Sequence, residues 1–319
     1  MHKPVLLKEV IEILNPQSGE FFIDGTLGSG GHAVEIIKKI SPNGIFLGVD
    51  WDKDVIENFK SNLKPKSYNL KAIRLVHGNY ADLPEILSAY GRSPEGRKKY
   101  KLPKADGLLI DLGFSSEQLE KSGRGFSFLR DEPLDMRYDT KVESLTAAEA
   151  VNSFNEKDLA DIFWKYGEER FSRRIAKKIV EERKKKRILI TFDLVEVIKR
   201  AVPKSYEKGR IHPATRVFQA LRIYVNDELG NLEKLLKNLE KIIKPKGRVA
   251  IISFHSLEDR LVKNYFREMA KPARIATQSV AGGKGMAEIL TKKPITATLE
   301  EIRSNPRSRS AKMRAIKLL

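Results

Sequence analysis

The stretch that decides the fold is Phe21-Phe22-Ile23-Asp24-Gly25-Thr26-Leu27-Gly28-Ser29-Gly30-Gly31-His32. It opens with a short apolar run, typical of a buried strand, which ends at Asp24. Four glycines follow, and apolar residues then recur at helical spacing from Val34 to Ile40. Glycine lets the backbone pass close to a ligand, and the start of a helix offers free N–H groups. The order strand, glycine turn, helix therefore predicts a site for a nucleotide-type ligand.

The acids around this turn bear on which ligand it holds. A second apolar run, residues 44–49, ends at Asp50, and a carboxylate there suits a ribose diol. The third glycine of the dinucleotide fingerprint is missing, and Asp24 and Asp50 would repel a pyrophosphate. S-adenosylmethionine is cationic and carries no phosphate, so the pattern favours this methyl donor. A dinucleotide of an oxidoreductase, and a tight turn with no ligand, are the alternatives.

Further apolar runs continue the alternation of strands and helices. They cover residues 72–76, 107–110 and 248–253, and a last strand is expected at the C-terminal end. This alternation predicts an α/β fold with a doubly wound, mostly parallel sheet. Ligands bind beyond the carboxyl ends of such strands. That edge is where the sequence places four polar residues, Asp24, Asp50, Tyr80 and Asp111.

The separation between Asp111 and the fifth strand is much longer than an ordinary crossover. It contains helical patterns over residues 156–166, 168–183 and 193–202. We therefore predict a discontinuous α/β domain of residues 1–114 and 213–319, with an inserted all-α domain of residues 115–212. After the insert, an apolar stripe from Leu229 to Ile243 predicts a long helix that packs in the core.

Composition narrows the class of protein. The 319 residues include 60 Lys and Arg against 42 Asp and Glu, a net charge of +18, which favours a polyanionic partner such as nucleic acid. There is no cysteine, which excludes disulfides, thiolate metal sites and cysteine nucleophiles. No apolar run approaches the roughly 18 residues of a membrane span. We expect a soluble, cytoplasmic protein without a membrane partner.

At this level of detail the sequence resembles the RsmH family of bacterial methyltransferases, also called MraW. The resemblance runs nearly end to end and rests on many long motifs in order. They are His2-x-Pro4-Val5-Leu6-Leu7-x-Glu9-Val10, Asp24-Gly25-Thr26-x-Gly28-x-Gly30-Gly31-His32, Asp111-Leu112-Gly113-x-Ser115-Ser116-x-Gln118-Leu119, Arg124-Gly125-Phe126-Ser127-Phe128, Pro133-Leu134-Asp135-Met136-Arg137, Gly167-Glu168-Glu169-Arg170-Phe171, His212-Pro213-Ala214-Thr215-Arg216-x-Phe218-Gln219-Ala220-Leu221-Arg222, Ser253-Phe254-His255-Ser256-Leu257-Glu258-Asp259-Arg260 and Asn305-Pro306-Arg307-x-Arg309-Ser310. Phe114 stands where the family pattern has valine, and the basic loop 92–104 is longer than expected.

The resemblance implies a Rossmann-like class I methyltransferase dependent on S-adenosylmethionine. It implies transfer of a methyl group to the exocyclic N4 of a cytosine in the decoding region of 16S rRNA, within the small ribosomal subunit and without a required metal. The implied donor contacts are Gly30, Gly31, His32, Asp50, Tyr80, Asp111 and Gln118, of which His32 and Gln118 come from the resemblance alone. The oligomeric state, a homodimer included, is left open.

Chemistry supports an amine as the methyl acceptor. Methylation at C5 of a pyrimidine normally needs a cysteine adduct, whereas an exocyclic amine needs only alignment and an acceptor for its N–H. We predict Asp111 as that acceptor. The target base must leave its stack, so Phe126 is a candidate platform and Arg124, Arg137 and Arg216 are candidate phosphate contacts. The alternative for Phe126 is an aromatic pair, with Phe128, that packs the insert onto the main domain.

Two further functions stay open from the sequence. One is methylation of a different amine in RNA. The other is a non-catalytic protein that binds or assembles rRNA, for which the net charge of +18 would suffice. Methyl incorporation into RNA separates both from the expected activity.

Overall fold

The apolar run at Phe21 forms an inner strand of a seven-stranded sheet. A computed structural model of the protein describes residues 3–63, 73–89, 102–112, 123–140, 144–207, 211–272 and 285–319. The strands are β1 Phe21–Asp24, β2 Ile45–Asp50, β3 Ile73–His77, β4 Ala105–Asp111, β5 Ile243–Ser253, β6 Ala287–Ile289 and β7 Lys312–Leu318.

The strand order confirms the predicted doubly wound sheet. It is β3-β2-β1-β4-β5-β7-β6, with β1 to β5 parallel and β7 antiparallel to both β5 and β6. From β1 the chain builds outward through β2 to β3, and then returns to add β4 on the other side. The carboxyl ends of β1 and β4 therefore flank the point where the winding reverses, which is where such sheets bind ligands.

Helices connect the strands of the sheet and form the insert. In chain order, the helices of the described residues are α1 Leu7–Leu14, α2 Gly31–Ile40, α3 Lys53–Asn62, α4 Leu83–Ala89, α5 Ala147–Ser153, α6 Glu156–Gly167, α7 Ser172–Arg183, α8 Thr191–Ala201, α9 Lys204–Glu207, α10 Ala214–Val225, α11 Glu228–Lys237, α12 Leu239–Ile242, α13 Ser256–Met269 and α14 Leu299–Ser304. Short 3₁₀ turns lie at Tyr80–Asp82 and Pro306–Ser310.

Both faces of the sheet are buried, which explains why its inner strands are almost continuously apolar. Successive residues of β1 belong to different clusters of buried residues: Phe21 and Ile23 pack in one, and Phe22 packs in the other. The same alternation holds in β4, where Leu108 and Leu109 are both fully buried but lie in different clusters. Burial of each such side chain contributes about 1.5–3 kcal/mol to folding.

The chain divides into two compact units, an α/β unit of Met1–Gly113 and Gly230–Leu319 and a helical unit of Phe114–Leu229. The predicted insert ended at residue 212, too early at this end. Helix α10 belongs to the helical unit, because Val217 and Leu221 pack in the same core as Phe163 of α6. The change of sequence pattern at Pro213 therefore marks the start of a helix within that unit and not a return to the sheet.

The stripe that was predicted as one long helix is divided. Its residues Leu232, Leu235, Leu236, Leu239 and Ile242 are buried, as expected. Asn238 leaves the helical conformation, with φ −111° and ψ 8°, and separates α11 from α12. Strand β5 then begins at Ile243, five residues before the predicted Arg248.

Substitution of Gly107 tests how tightly the sheet is packed. Gly107 of β4 pairs with Phe22 of β1, and a Cβ at this glycine would lie 2.0 Å from the buried Phe22 ring. Gly107→Ala should lower the free energy of unfolding by about 1–3 kcal/mol, because a fully buried ring has no free space to move into. Urea denaturation measures the change. Gly78→Ala is the matched control, since its nearest neighbour would be 3.6 Å away. Equal losses in both variants would contradict this account.

Candidate active site

The turn after β1 requires glycine for its backbone conformation. Gly28 and Gly30 have φ of 51° and 75°, in the left-handed region that side chains disfavour. The turn is fixed by hydrogen bonds from Leu27 N to Val49 O, at 3.0 Å, and from Gly30 N to Leu27 O, at 2.8 Å. Helix α2 begins immediately afterwards at Gly31. The predicted order of strand, glycine turn and helix is therefore confirmed.

Gly30 and Gly31 also have a packing role. A Cβ at Gly30 would lie 2.1 Å from the ring of Phe59, and a Cβ at Gly31 would lie 3.0 Å from Pro4. These two glycines let α3 and the N-terminal segment approach the turn. Their presence therefore has a structural reason that does not depend on a ligand.

Asp50 is held in one orientation at the end of β2. Its Oδ2 accepts a hydrogen bond from Gly28 N and its Oδ1 accepts one from Asp52 N, both at 2.9 Å. Burial raises the pKa of Asp50 to about 6, even though both backbone hydrogen bonds favour the charged form. Each oxygen keeps a further lone pair, which suits it to accept from a ligand hydroxyl.

Asp111 lies at the end of β4, next to two residues from the glycine turn. Its backbone N–H donates to Thr26 Oγ1 at 2.6 Å, and its Oδ2 lies 3.8 Å from His32 Nδ1. The other ring nitrogen of His32, Nε2, is 2.8 Å from Val5 O and must donate to it, because a carbonyl only accepts. His32 thus connects the N-terminal segment to the aspartate. The Asp111 side chain remains 21% exposed and is accessible from the site.

Asp24 is the most deeply buried acid of this edge, at 1% exposure. Burial raises its pKa from 3.8 to about 8; a hydrogen bond from Thr26 N opposes the shift, and the charges of Asp111 and Asp50 add to it. The hydrogen bond from Thr26 N, at 3.1 Å, ties the buried Asp24 to the start of the glycine turn.

Tyr80 and Gln118 complete the predicted donor contacts. Tyr80 begins the 3₁₀ turn after β3, and a Cβ at Gly25 would lie 3.2 Å from Tyr80 Cβ, so the tyrosine borders the glycine turn. Asn79 caps the turn by accepting from Ala81 N at 2.9 Å. Gln118 lies outside the described residues, and its role stays a prediction.

The four predicted RNA contacts all belong to the helical unit. Phe126 is 7% exposed and stacks on Tyr138, with ring centroids 5.6 Å apart. Arg124 lies 5.5 Å from the Phe126 ring centroid and donates to Tyr138 O at 2.8 Å. In this structure the ring of Phe126 therefore belongs to the core of the helical unit itself, and its role as a base platform stays a prediction.

Arg137 and Arg216 also contact their own unit. Arg137 forms a two-pronged ion pair with Asp135, with Nε and Nη2 each 2.8 Å from a carboxylate oxygen. Arg216 Nη1 donates to Glu168 O at 2.9 Å, and its side chain is partly exposed. Contacts of Arg124, Arg137 and Arg216 with phosphate stay predictions.

Sequence reasoning missed the residues that position the acids. Thr26 holds the backbone of Asp111, and Gly28 N holds the carboxylate of Asp50. These pairs are 85 and 22 residues apart and meet only because β1 lies between β2 and β4. The only sequence signal was the placement of Thr26 between Asp24 and the glycines.

The arrangement defines a class of protein. A sheet in this order, with an antiparallel β7 beside β5 and acids at the ends of β2 and β4, is the architecture of class I methyltransferases. The chain belongs to the MraW methylase family, whose pattern matches residues 1–319.

Comparison with known proteins gives named relatives over nearly the whole chain. Ribosomal RNA small subunit methyltransferase H of Halothermothrix orenii is 44% identical, covering 98% of this chain and 97% of its own. The proteins of the same name from Syntrophotalea carbinolica and Geotalea daltonii are 44% and 45% identical, covering 100% and 99% of this chain and 98% and 97% of their own. A solved SAM-dependent O-methyltransferase of Thermotoga maritima aligns over 100% of this chain and 68% of its own, with a TM-score of 0.42 and 8% identity.

The raised pKa of Asp24 predicts a pH-dependent stability difference. Because the folded state holds this proton more tightly than the unfolded state, ionisation destabilises the fold progressively as pH rises from about 4 to about 8. Asp24→Asn keeps the acceptor for Thr26 N and removes the charge. The free energy of unfolding of Asp24→Asn should therefore exceed that of the wild type by a few kcal/mol near pH 8 and by much less near pH 4. The size of the difference follows from about 1.4 kcal/mol for each unit by which folding shifts the pKa.

Urea denaturation across this pH range, without added ligand, measures the difference. Asp54→Asn, which removes an exposed carboxylate at the start of α3, is the control. A gap between Asp24→Asn and the wild type that does not change with pH would contradict the assignment.

Proposed function

We propose that the protein transfers a methyl group from S-adenosylmethionine to the exocyclic N4 of a cytosine in the decoding region of 16S rRNA. The observation that carries the proposal is the group of acids at the carboxyl ends of β1, β2 and β4, where the winding of the sheet reverses. Relatives 42–45% identical over nearly the whole chain, named ribosomal RNA small subunit methyltransferase H, support the rRNA substrate.

The residues present fit this methyl donor. A ribose diol can donate to Asp50, whose carboxylate is already oriented by Gly28 N and Asp52 N. The glycine turn brings backbone next to that carboxylate through Gly28 N, and Tyr80 borders the turn from the end of β3. Burial is the main cause of the raised pKa of Asp24, and the charges of Asp111 and Asp50 add a repulsion that a sulfonium and an ammonium group would offset. A pyrophosphate would add to that repulsion, which argues against a dinucleotide.

When bound, S-adenosylmethionine supplies an activated methyl group for in-line displacement. The attacking N4 forms the new N–C bond as the S–C bond breaks, and one amine proton must leave. Asp111 is the acceptor for this N–H, since its partly exposed carboxylate is held at the end of β4 by Thr26 and faces His32. A carboxylate that accepts the N–H favours pyramidal nitrogen and so makes the lone pair available. His32 is a positioning residue in this scheme.

The helical unit is the proposed RNA-recognition domain. The net charge of +18 supplies the attraction to a polyanion. Among the described residues, no helix is both long and apolar enough to cross a bilayer. The small ribosomal subunit as partner, and with it a cytoplasmic location, form part of the proposal.

Methyl incorporation tests the function directly. The protein, incubated with labelled S-adenosylmethionine and either small-subunit rRNA or assembled small subunits, should transfer label to RNA in at least one of them. Nuclease digestion and mass spectrometry should identify the product as N4-methylcytidine, because the acceptor geometry suits an exocyclic amine. Label on another base would indicate a different amino-methyltransferase. RNA binding without label transfer in either substrate would favour the non-catalytic alternative.

Substitution of Asp111 and Asp50 should separate their roles. Asp111→Ala should lower kcat about 100-fold or more, because it removes the acceptor of the amine proton. Asp50→Ala should weaken donor binding about 10-fold to 100-fold, the value of hydrogen bonds to a charged group, with RNA affinity unchanged. Calorimetry with S-adenosylmethionine and steady-state kinetics measure the two effects, with the exposed Asp54→Ala as control. Full turnover of Asp111→Ala would remove this aspartate from the chemistry.

A further inference from the structure

The helical unit carries an open pocket where α6 ends and α7 begins. Its volume is about 380 Å³, and the residues that matter in its lining are Asp161, Trp164, Arg170, Phe171, Arg173 and Arg174. We call it the Trp164 pocket. It includes part of the motif from Gly167 to Phe171, to which the proposed methyl-transfer chemistry gives no role.

Trp164 presents a large aromatic surface to solvent. Its side chain is 63% exposed, and among the described residues its indole has no stacking or cation–π partner. Exposure of so large an apolar group is unfavourable in isolation, so such residues often mark binding sites. An indole face beside a cavity can accept a flat ring.

The charge of the lining is strongly positive. Arg170, Arg173 and Arg174 are exposed, and none of them forms an ion pair with any residue that the structure describes. The one acid in the lining, Asp161, pairs with Lys157 at 2.8 Å. Three cations without a neutralising carboxylate favour an anionic ligand.

The pocket is held in shape by a buried acid. Glu169 is fully buried, and its two carboxylate oxygens accept from Phe171 N at 2.8 Å and from Tyr206 Oη at 2.7 Å. The guanidinium of Arg170 lies 4.8 Å from both the Phe171 and the Tyr206 ring centroids. Glu169 therefore fixes the two rings between which Arg170 is presented.

Gly167, two residues before Glu169, lies where there is no room for a side chain. A Cβ there would lie 2.5 Å from Arg216 O. The next residue, Glu168, has a left-handed φ of 49°, which turns the chain out of α6 and into the pocket wall. The motif thus builds the wall of the pocket.

We propose that the Trp164 pocket binds an unpaired nucleotide of RNA, with the base stacked on Trp164 and the adjoining phosphates paired with Arg173 and Arg174. Aromatic faces combined with arginine are the usual means of holding single-stranded RNA, because stacking and phosphate contact are satisfied together. The inference rests on the proposed function only in taking RNA as the substrate. It adds a contact surface whose role is affinity and not methyl transfer.

Substitution of the pocket residues tests this surface. Trp164→Ala should weaken binding of protein-free small-subunit rRNA about tenfold or more, the effect of losing one base–aromatic stack, whereas Trp164→Phe should retain most of the affinity. Phe192→Ala, another exposed aromatic of the helical unit, should leave the affinity unchanged. Arg173→Gln with Arg174→Gln should reduce the slope of log affinity against log salt by about 1.4–2, because each lost phosphate contact accounts for about 0.7–1 released counterion.

The charge control is Lys199→Gln with Arg200→Gln. These are also adjacent cations on one helix of the same unit, but each is ion-paired, with Glu196 and Glu182 respectively. The inference requires a larger change in salt slope from the pocket pair than from the control pair. Circular dichroism checks that every variant is folded.

Kinetics separate a failure of this inference from a failure of the proposed function. The pocket variants should raise KM for RNA with kcat and donor affinity unchanged, because the pocket does not touch the reacting atoms. If the wild type methylates RNA but Trp164→Ala has unchanged RNA affinity and KM, the pocket assignment is wrong and the function stands. If the wild type binds RNA through Trp164 but transfers no methyl group, the pocket assignment stands and the proposed function is wrong. A loss confined to assembled subunits, with unchanged affinity for protein-free rRNA, would indicate a protein partner and overturn the inference.

Discussion

Three aspartates, at the ends of β1, β2 and β4, are brought to one edge of the sheet by strands that are otherwise almost wholly apolar. Burial of both faces leaves few alternative pairings for these strands. Strand pairing therefore brings the acids together even though their charges repel one another. Burial is the main cause of the raised pKa values of Asp24, about 8, and Asp50, about 6, and for Asp24 the charges of Asp111 and Asp50 add to it. Acids that are buried together at a cost in stability are typical of functional sites. A cationic ligand would stabilise their charged forms.

The sheet was predictable because its inner strands have no solvated face. Such strands appear as short, continuous apolar runs, and each ends where a polar residue meets the site. The helical stripe after Leu229 was less informative: periodicity continues through Asn238 because both helices bury the same face, so it cannot show the break. The boundary of the helical unit was missed for a related reason, since α10 is equally amphipathic whichever core it packs in.

Only part of the site could be predicted, and the division has a physical basis. The places of Asp50 and Asp111 at the ends of β2 and β4 were predicted correctly, because the end of an apolar strand is visible in the sequence. The contacts of Thr26 with Asp111 and of His32 with Val5 depend on which strands are neighbours and how segments pack, so no local pattern contains them. Phe126 shows a different limit of the sequence: an aromatic residue beside an arginine suggests a base platform, but cation–π contact and stacking within a core give the same sequence pattern.

A cationic donor and a polyanionic substrate make opposite electrostatic demands on one chain, and burial reconciles them. Exposed carboxylates would repel RNA, but Asp24 is covered by the glycine turn and, with a pKa of about 8, is mostly neutral at pH 7 before a donor arrives. A bound cation lowers that pKa, so the charge develops only where it is already compensated. The arginines of the Trp164 pocket, by contrast, lie at the surface of their own unit, where long-range attraction to phosphate operates. Depth of burial, more than the number of charges, therefore lets the same chain hold acidic side chains for the cationic donor and basic side chains for RNA.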